Sequence, residues 1–245
     1  MILNIVIIAA IILAGAFQFS PRISQSSLWR ATITPLASII GSGFLVLAPI
    51  LVYAYGSKAP LVMGALVLGA YLFGSAIRFN IAVRNALVSF HDFIAEKLEI
   101  GASWALAFAF MISVTYYLNL FGAFGLSLTP FDSAANAKLL SSVIFVIILA
   151  VGYTRGFSAL EKMEYTAVTI KLAIIAGLLL GLSYYCYAKA VSSTLVLHPP
   201  QLTGWAAITL AFGLIITVQG FETSRYLDDE YDAAFRIRSM RLAQL

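Results

Sequence analysis

The chain has 245 residues, of which 61% are hydrophobic and 11% are charged, and its mean hydropathy is +0.95. A soluble domain of this length could not shield so much apolar surface from water, so the composition predicts an all-α polytopic membrane protein. The formal net charge of +4 is small, and we expect a small molecule and membrane lipid as partners, with no nucleic acid. One cysteine and two distant histidines predict neither a disulfide nor a metal site, and no cofactor is expected.

The first apolar segment, residues 1–17, is predicted to be an extra N-terminal membrane helix. A signal peptide is the alternative, because Ala14-Gly15-Ala16 has the small-residue spacing of a cleavage site. No Lys or Arg precedes the apolar segment, so the uncleaved helix is favoured. Residues 18–30 are predicted to be a polar linker, and residues 31–245 to be the main membrane domain.

The next apolar stretch, residues 34–55, is long enough to span a bilayer but contains Gly41-Ser42-Gly43. Glycine costs about 1 kcal/mol relative to alanine inside a helix, so we expect a break there. Lipid offers no hydrogen bonds, and a break is tolerated only where it lines a cavity. The half-helix after the break would present free N–H groups and a positive dipole end to an anionic group. Alternatively, the small residues only let two helices pack closely.

The middle of the chain is predicted to hold four further spans. A tight turn at residues 56–58 precedes the first span. Residues 78–100 carry charges between apolar residues at helical spacing, which predicts an amphipathic helix at the membrane surface. A loop is predicted at residues 152–164. The four predicted spans, of which the third extends at both ends, are residues 60–77, 102–128, 139–151 and 167–187.

The last predicted span, residues 205–227, is interrupted like the second. It contains Gln219-Gly220-Phe221 followed by Glu222, and an ionisable residue inside a membrane helix by default suggests a function. The alternative is that Glu222 opens the cytoplasmic end of the helix and faces water or Arg225. Two glycine-interrupted spans in corresponding positions are the pattern of an inverted-repeat transporter.

Three stretches together resemble the amino acid–polyamine–organocation (amino acid permease) superfamily, which has a leucine-transporter-like fold. Ile40-Gly41-Ser42-Gly43-Phe44 resembles the break in core helix 1, and Lys171-Leu172 resembles the start of core helix 5. Gln219-Gly220-Phe221-Glu222, with Asp229-Glu230 after it, resembles core helix 6 and its acidic exit. The resemblance implies the first five-helix repeat plus core helix 6, apparently truncated there.

The resemblance also implies a function, namely secondary active transport of amino acids or related amines, with no enzymatic activity. It implies that the substrate carboxylate meets the backbone at Gly41, Ser42 and Gly43, and the amino group meets carbonyls at the two breaks. At core helix 6 the implied positions are Gln219, Gly220 and Phe221. Lys171 is similar in position to the lysine that replaces a sodium ion in proton-coupled relatives, and the alternative is that it snorkels to the nearby surface.

The chain departs from the family pattern in ways that leave other functions open. Core helices 7 to 10 are absent, Ala233-Ala234 stands where Asn-Pro is usual, and Ile216 stands where relatives carry an aromatic residue. The chain could therefore be a split permease that needs a second chain or a second copy, or a membrane scaffold that does not transport. No nucleotide-binding glycine loop or hydrolase triad supports an enzyme.

Lysine and arginine placement predicts the orientation, because cytoplasmic loops of membrane proteins are enriched in these residues. A cytoplasmic linker at residues 18–30 puts most of the cations inside, and only Lys58, Lys138 and Lys189 outside. The N-terminus is then outside and the C-terminus is cytoplasmic, in what we expect to be the cell (inner) membrane.

This orientation predicts that a membrane-impermeant amine reagent labels Lys58 and Lys189 in intact cells. A C-terminal reporter should be active only in the cytoplasm, and an N-terminal tag should be accessible outside. Labelling of Lys58 or Lys189 only after the cells are permeabilised would reverse the assignment.

Overall fold

The computed structural model describes residues 2–41, 43–86, 93–196, 198–227 and 230–245, and the secondary structure of these residues is entirely helical. Short 3-10 segments cover Gly56–Lys58, Ile215–Val218 and Phe221–Tyr226. The predicted all-α class is therefore confirmed for the described residues. The α-helices, in chain order, are α1 (Ile2–Phe19), α2 (Pro21–Ser24), α3 (Ser27–Ile39), α4 (Gly43–Tyr55), α5 (Ala59–Ala86), α6 (Phe93–Leu126), α7 (Ala134–Arg155), α8 (Phe157–Val191), α9 (Gly204–Leu214) and α10 (Ala233–Gln244).

Five helical stretches of the described residues are long and apolar enough to cross a membrane. The protein is therefore an integral, multi-pass membrane protein. Seven spans were expected from the sequence. The first of them coincides with a shorter apolar helix, Leu3–Phe19, and the second and third fall largely within one continuous stretch. The five stretches are Val46–Val83, Glu96–Leu126, Ala134–Arg155, Ser158–Val191 and Gly204–Tyr226.

The described chain divides into two units. The first unit contains Met1–Ile40, Phe44–Ala82 and Lys162–Leu245, and the second contains Gly41–Gly43 and Val83–Glu161. A hydrophobic core in the first unit joins α4, α5, α9, the segment Phe221–Tyr226 and α10. Its buried residues are Leu47, Leu51, Ala54, Tyr55, Ala59, Leu66, Ala70, Leu214, Val218, Phe221 and Met240.

Helix α1 packs against α8 in the first unit through small residues. A methyl group at Gly15 would lie 3.7 Å from the Ala173 Cβ, and one at Gly177 would collide with Ile11. At the end of α1, the Tyr165 hydroxyl donates to the Gln18 carbonyl at 2.7 Å. The spacing of Gly177 and Gly181, four residues apart, is typical of close helix packing in membranes and agrees with these contacts.

Two sequence predictions about the connections are wrong. Residues 78–86 continue α5 and residues 93–100 begin α6, whereas a separate surface helix was expected; residues 87–92 lie outside the described range. The apolar spacing at 78–100 is helical in either case, and it cannot distinguish a surface helix from the ends of two long ones. The loop expected at 152–164 reduces to Gly156, whose φ of 73° ends α7 immediately before α8 begins at Phe157.

Two segments that the sequence predicts to be polar contain helices. The linker predicted at residues 18–30 contains α2 and the beginning of α3. The charged residues after 227, which predict a cytoplasmic tail at the end of the main membrane domain, include α10, whose Ser239, Met240 and Ala243 are buried. The charges on one face of such a helix hide the apolar residues on the other.

Helices α6 and α7 of the second unit approach closely at Gly122, and this contact is testable. A methyl group at Gly122 would collide with the Ala137 carbonyl and the Ser141 hydroxyl, which donates to the Leu118 carbonyl at 2.6 Å. Overpacking costs about 1–3 kcal/mol, so we expect Gly122→Ala to lower the apparent melting temperature in detergent. Gly101→Ala on the same helix, where nothing lies within 4 Å, should leave the melting temperature unchanged or raise it. Equal melting temperatures would contradict this packing.

Candidate functional site at the two helix breaks

The first break lies where the sequence predicts it, between the end of α3 at Ile39 and the start of α4 at Gly43. Ile40 follows α3 with φ −86° and ψ 56°, and its N–H still donates to the Leu36 carbonyl. The non-helical ψ turns the Ile40 carbonyl out of the helical hydrogen-bond pattern. This oxygen therefore lies at the C-terminal, partially negative end of α3.

Lys171 binds the carbonyl that the first break frees. Its Nζ donates to the Ile40 carbonyl at 2.7 Å, and both residues belong to the first unit. An ammonium group at the C-terminal end of a helix is favourable both as a charged hydrogen-bond donor and as a cation near the negative dipole end. The Lys171 ammonium thus points to α3, whereas the snorkelling alternative directs it to the membrane surface.

A second contact ties α3 to α8, two turns earlier on α8. The Thr34 hydroxyl donates to Glu164 Oε2 at 3.1 Å. Glu164 and Lys171 are seven residues apart and therefore lie on the same face of the helix. The two contacts hold α3 against this face of α8 at both Thr34 and Ile40.

Gly41 and Gly43 belong to the second unit. A methyl group at Gly41 would lie 3.0 Å from the Tyr117 ring, so glycine allows this close approach. Gly43 is buried at the start of α4, and Ser42 lies outside the described residues. The expected role of Gly41, Ser42 and Gly43 in binding a carboxylate stays a prediction.

The second break separates the segment Ile215–Val218 from Phe221–Tyr226. Gln219 is extended, and Gly220 has φ +119°, a conformation that side chains disfavour. A methyl group at Gly220 would lie 2.5 Å from the Ser38 carbonyl carbon and 2.7 Å from the Ile39 nitrogen. Both the positive φ and the lack of space for a side chain require glycine at this position. The Gly220 backbone packs directly against the last turn of α3.

Glu222 and Thr223 occupy the backbone groups that the second break frees. Gly220 N–H donates to Glu222 Oε2 at 2.9 Å, and the Thr223 hydroxyl donates to the Gly220 carbonyl at 2.8 Å. Glu222 is only 7% exposed. The alternative in which Glu222 faces water is therefore wrong, because its carboxylate folds back to cap the broken backbone.

The structure thus brings some of the predicted site residues together. Within the first unit, Gly220 lies against α3 and Lys171 binds the end of α3, while Phe221 belongs to the buried core. The side chain of Gln219 is exposed. An open surface depression along α6 contains none of these residues, and its lining is Glu96, Glu99, Ile100, Ser103, Trp104 and Ala107.

Three features of the site were not predicted from the sequence. These are the Thr34–Glu164 contact, the fit of Tyr117 against Gly41, and the folding back of Glu222. The spacing of residues in the sequence does not predict which residue a threonine or a tyrosine in a membrane helix contacts. Glu222 was noticed because it is ionisable, but its contact with Gly220 depends on the backbone conformation of the break. Within the described ranges, no group of three or more His, Cys, Asp and Glu residues could hold a metal ion.

Two broken helices that pack together are a feature of one class of helical membrane transporters. The comparison with known families agrees with this class. A family model described as "APC superfamily transporter" matches residues 21–245. The chain belongs to the APC (amino acid–polyamine–organocation) transporter superfamily, which is not a family of enzymes, and membership implies the leucine-transporter-like fold.

A relative of the chain is known in Aquifex aeolicus (strain VF5), where it is described as an uncharacterized protein. The two are 38% identical over 244 residues, which is 98% of this chain. The chain spans 59% of the length of that relative. No solved structure matches the chain.

The packing of Gly220 on α3 predicts the effect of a single methyl group. Gly220→Ala places Cβ against Ser38 and keeps a left-handed φ, which costs about 1–2 kcal/mol for an L-residue even without the collision. We expect a lower apparent melting temperature in detergent, measured by fluorescence-detected size-exclusion chromatography. Gly213→Ala on α9, where nothing lies within 4 Å, is the matched control. If the two variants have the same apparent melting temperature, the second break does not pack on α3 as described.

Proposed function

We propose that the chain is a secondary active transporter, or the N-terminal half of one, for amino acids or related amines, and that transport is coupled to protons. Superfamily membership supports a transporter with a small-molecule substrate. The two breaks support backbone recognition, because unwound segments carry N–H and carbonyl groups outside the helical pattern. A substrate that binds the Gly220 backbone would replace Glu222 or Thr223 there. The family resemblance implies that the substrate carboxylate meets Gly41, Ser42 and Gly43. It implies that the amino group meets carbonyls at both breaks, which at the second break are those of Gln219, Gly220 and Phe221.

The contact between Lys171 and the Ile40 carbonyl carries this proposal. A carbonyl at the end of α3 requires a positive partner, and a bound cation or an ammonium group can fill that role. Lys171 fills it with a group that can lose its charge, whereas a metal ion cannot. Protonation of Lys171 can therefore supply, at this position, the positive charge that a bound metal ion supplies in a metal-coupled transporter.

The coupling step follows from the chemistry of the lysine side chain. Protonated Lys171 binds the Ile40 carbonyl with a charged hydrogen bond and braces α3 against α8. When the ammonium loses its proton, the charge is gone and α3 is held less strongly. Proton binding and release at Lys171 would then shift the population of conformations in which the end of α3 has moved.

The test is uptake of radiolabelled amino acids into proteoliposomes with an imposed pH gradient. Lys171→Ala should reduce gradient-driven accumulation about tenfold or more, since hydrogen bonds to charged groups contribute about 1.5–3 kcal/mol. It should also flatten the pH dependence of uptake, and exchange of internal for external substrate should survive. Lys162→Ala, an exposed lysine on the same helix, is the control and should keep both properties. Proton-driven accumulation that persists in Lys171→Ala would remove the coupling role.

The sequence analysis also leaves a second function open. The alternative is a split permease or a membrane scaffold that works with a partner. The same proteoliposomes should be prepared with the chain alone and with the product of the adjacent reading frame. Uptake only in the combined preparation identifies a half-transporter. Partner-dependent assembly without uptake identifies a scaffold.

A further inference from the structure

Arg78 is a buried cation in a helix that is long and apolar enough to span the membrane. It is 6% exposed and lies in α5, where an ionisable residue is costly and by default functional. Its guanidinium lies 4.8 Å from the centre of the Tyr71 ring, and its Nη1 donates to the Gln244 side-chain oxygen. The transport proposal above does not use this residue.

Gln244 lies in the last turn of α10 and binds α5 at two points. Its oxygen accepts from Arg78, and its Nε2 donates to the Ala70 carbonyl at 2.9 Å. Ala70, Gly74 and Arg78 are spaced four residues apart and form one stripe on α5. A methyl group at Gly74 would lie 2.6 Å from the Gln244 Cδ, so an alanine there would displace the Gln244 amide from its position on this stripe.

Helix α10 also contacts the two elements that meet at the breaks. It packs along α3 and against Phe221–Tyr226, with Ser239 and Met240 fully buried. Arg236 Nη1 donates to the Arg225 carbonyl at 2.9 Å, which ties the start of α10 to the segment after the second break. The Gln244 amide ties its other end to α5.

We propose that α10 is a strap that holds α3 against the segment after the second break, and that Gln244 on the Ala70–Gly74–Arg78 stripe is its latch. Arg78 and Gln244 are positioning residues: they act on the Ile40 carbonyl only through α10 and α3. Release of the latch frees α10, and α3 loses the contact that covers it along its length. The strap itself does not depend on the transport proposal; only its effect on the Lys171 contact does.

Hydrogen–deuterium exchange of the full chain in lipid nanodiscs tests the strap without any substrate. In Gly74→Ala and in Gln244→Ala, backbone amides of α3 and α10 should exchange about tenfold faster, because a local opening becomes easier. Gly64→Ala, on the same helix with nothing within 4 Å, should leave the α3 rate unchanged. So should Leu242→Ala, since Leu242 lies 200° around α10 from Gln244. Exchange in α6 and α7 should not change in any variant.

A double variant separates a latch from general destabilisation. If Gly74 and Gln244 act in one contact, Gly74→Ala combined with Gln244→Ala should exchange no faster in α3 than either single variant. Gln244→Glu keeps the acceptor for Arg78 and should restore part of the protection. Additive effects of the two single changes, or α3 rates in Gly74→Ala equal to those in Gly64→Ala, would overturn the latch.

The unmodified chain provides a test that needs no variant. A strap and the helix it holds should open together, so α3 and α10 should exchange at similar rates. Exchange in α10 that is about a hundredfold faster than in α3 would show that α3 does not depend on α10, and would overturn the strap. If α3 and α10 exchange at similar rates but the chain takes up no substrate, the result contradicts the transport proposal and leaves the strap proposal standing.

Discussion

A carbonyl oxygen that leaves its helix and is shielded from water needs a hydrogen-bond donor from the protein, because an unpaired buried carbonyl is costly. In this chain the Ile40 carbonyl finds the ammonium of Lys171, at 2.7 Å. The contact satisfies the broken backbone, and it also makes the position of α3 depend on one ionisable side chain. Much of what the first unit does around α3 follows from this requirement: Thr34 binds Glu164, and Gly220 packs against Ser38 and Ile39.

The second break solves the same problem with its own side chains. Glu222 caps the Gly220 N–H and Thr223 caps the Gly220 carbonyl, so the hydrogen-bonding groups of Gly220 are satisfied by neighbours in sequence. The two breaks therefore differ in kind. One is held by residues two and three positions away in sequence, and the other by a lysine 131 residues away. A contact between residues distant in sequence, such as that of Lys171 with Ile40, can be changed by a proton, a substrate or a partner without unfolding of the segment.

Local patterns predicted the helices and both breaks, because glycine inside an apolar span has a direct effect on helix stability. The resemblance then predicted the family, which the family match confirms. The helix ends, the connections and α10 were predicted poorly. Residues 78–100 have the same apolar spacing whether they lie on the membrane or extend two spans, and the arginines of α10 conceal a buried face that includes Met240. Arg78 binds Gln244, which is distant in sequence, so local spacing cannot predict this contact.

The central claim is that the two breaks are where the substrate meets the backbone. Hydrogen–deuterium exchange of the chain in nanodiscs, with the standard amino acids and simple amines added singly, tests it most directly. The account predicts that at least one of these compounds slows exchange in residues 38–46 and 216–224 together, with little change in α6 and α7. Protection by an amino acid that is confined to other segments, with both breaks unchanged, would contradict it.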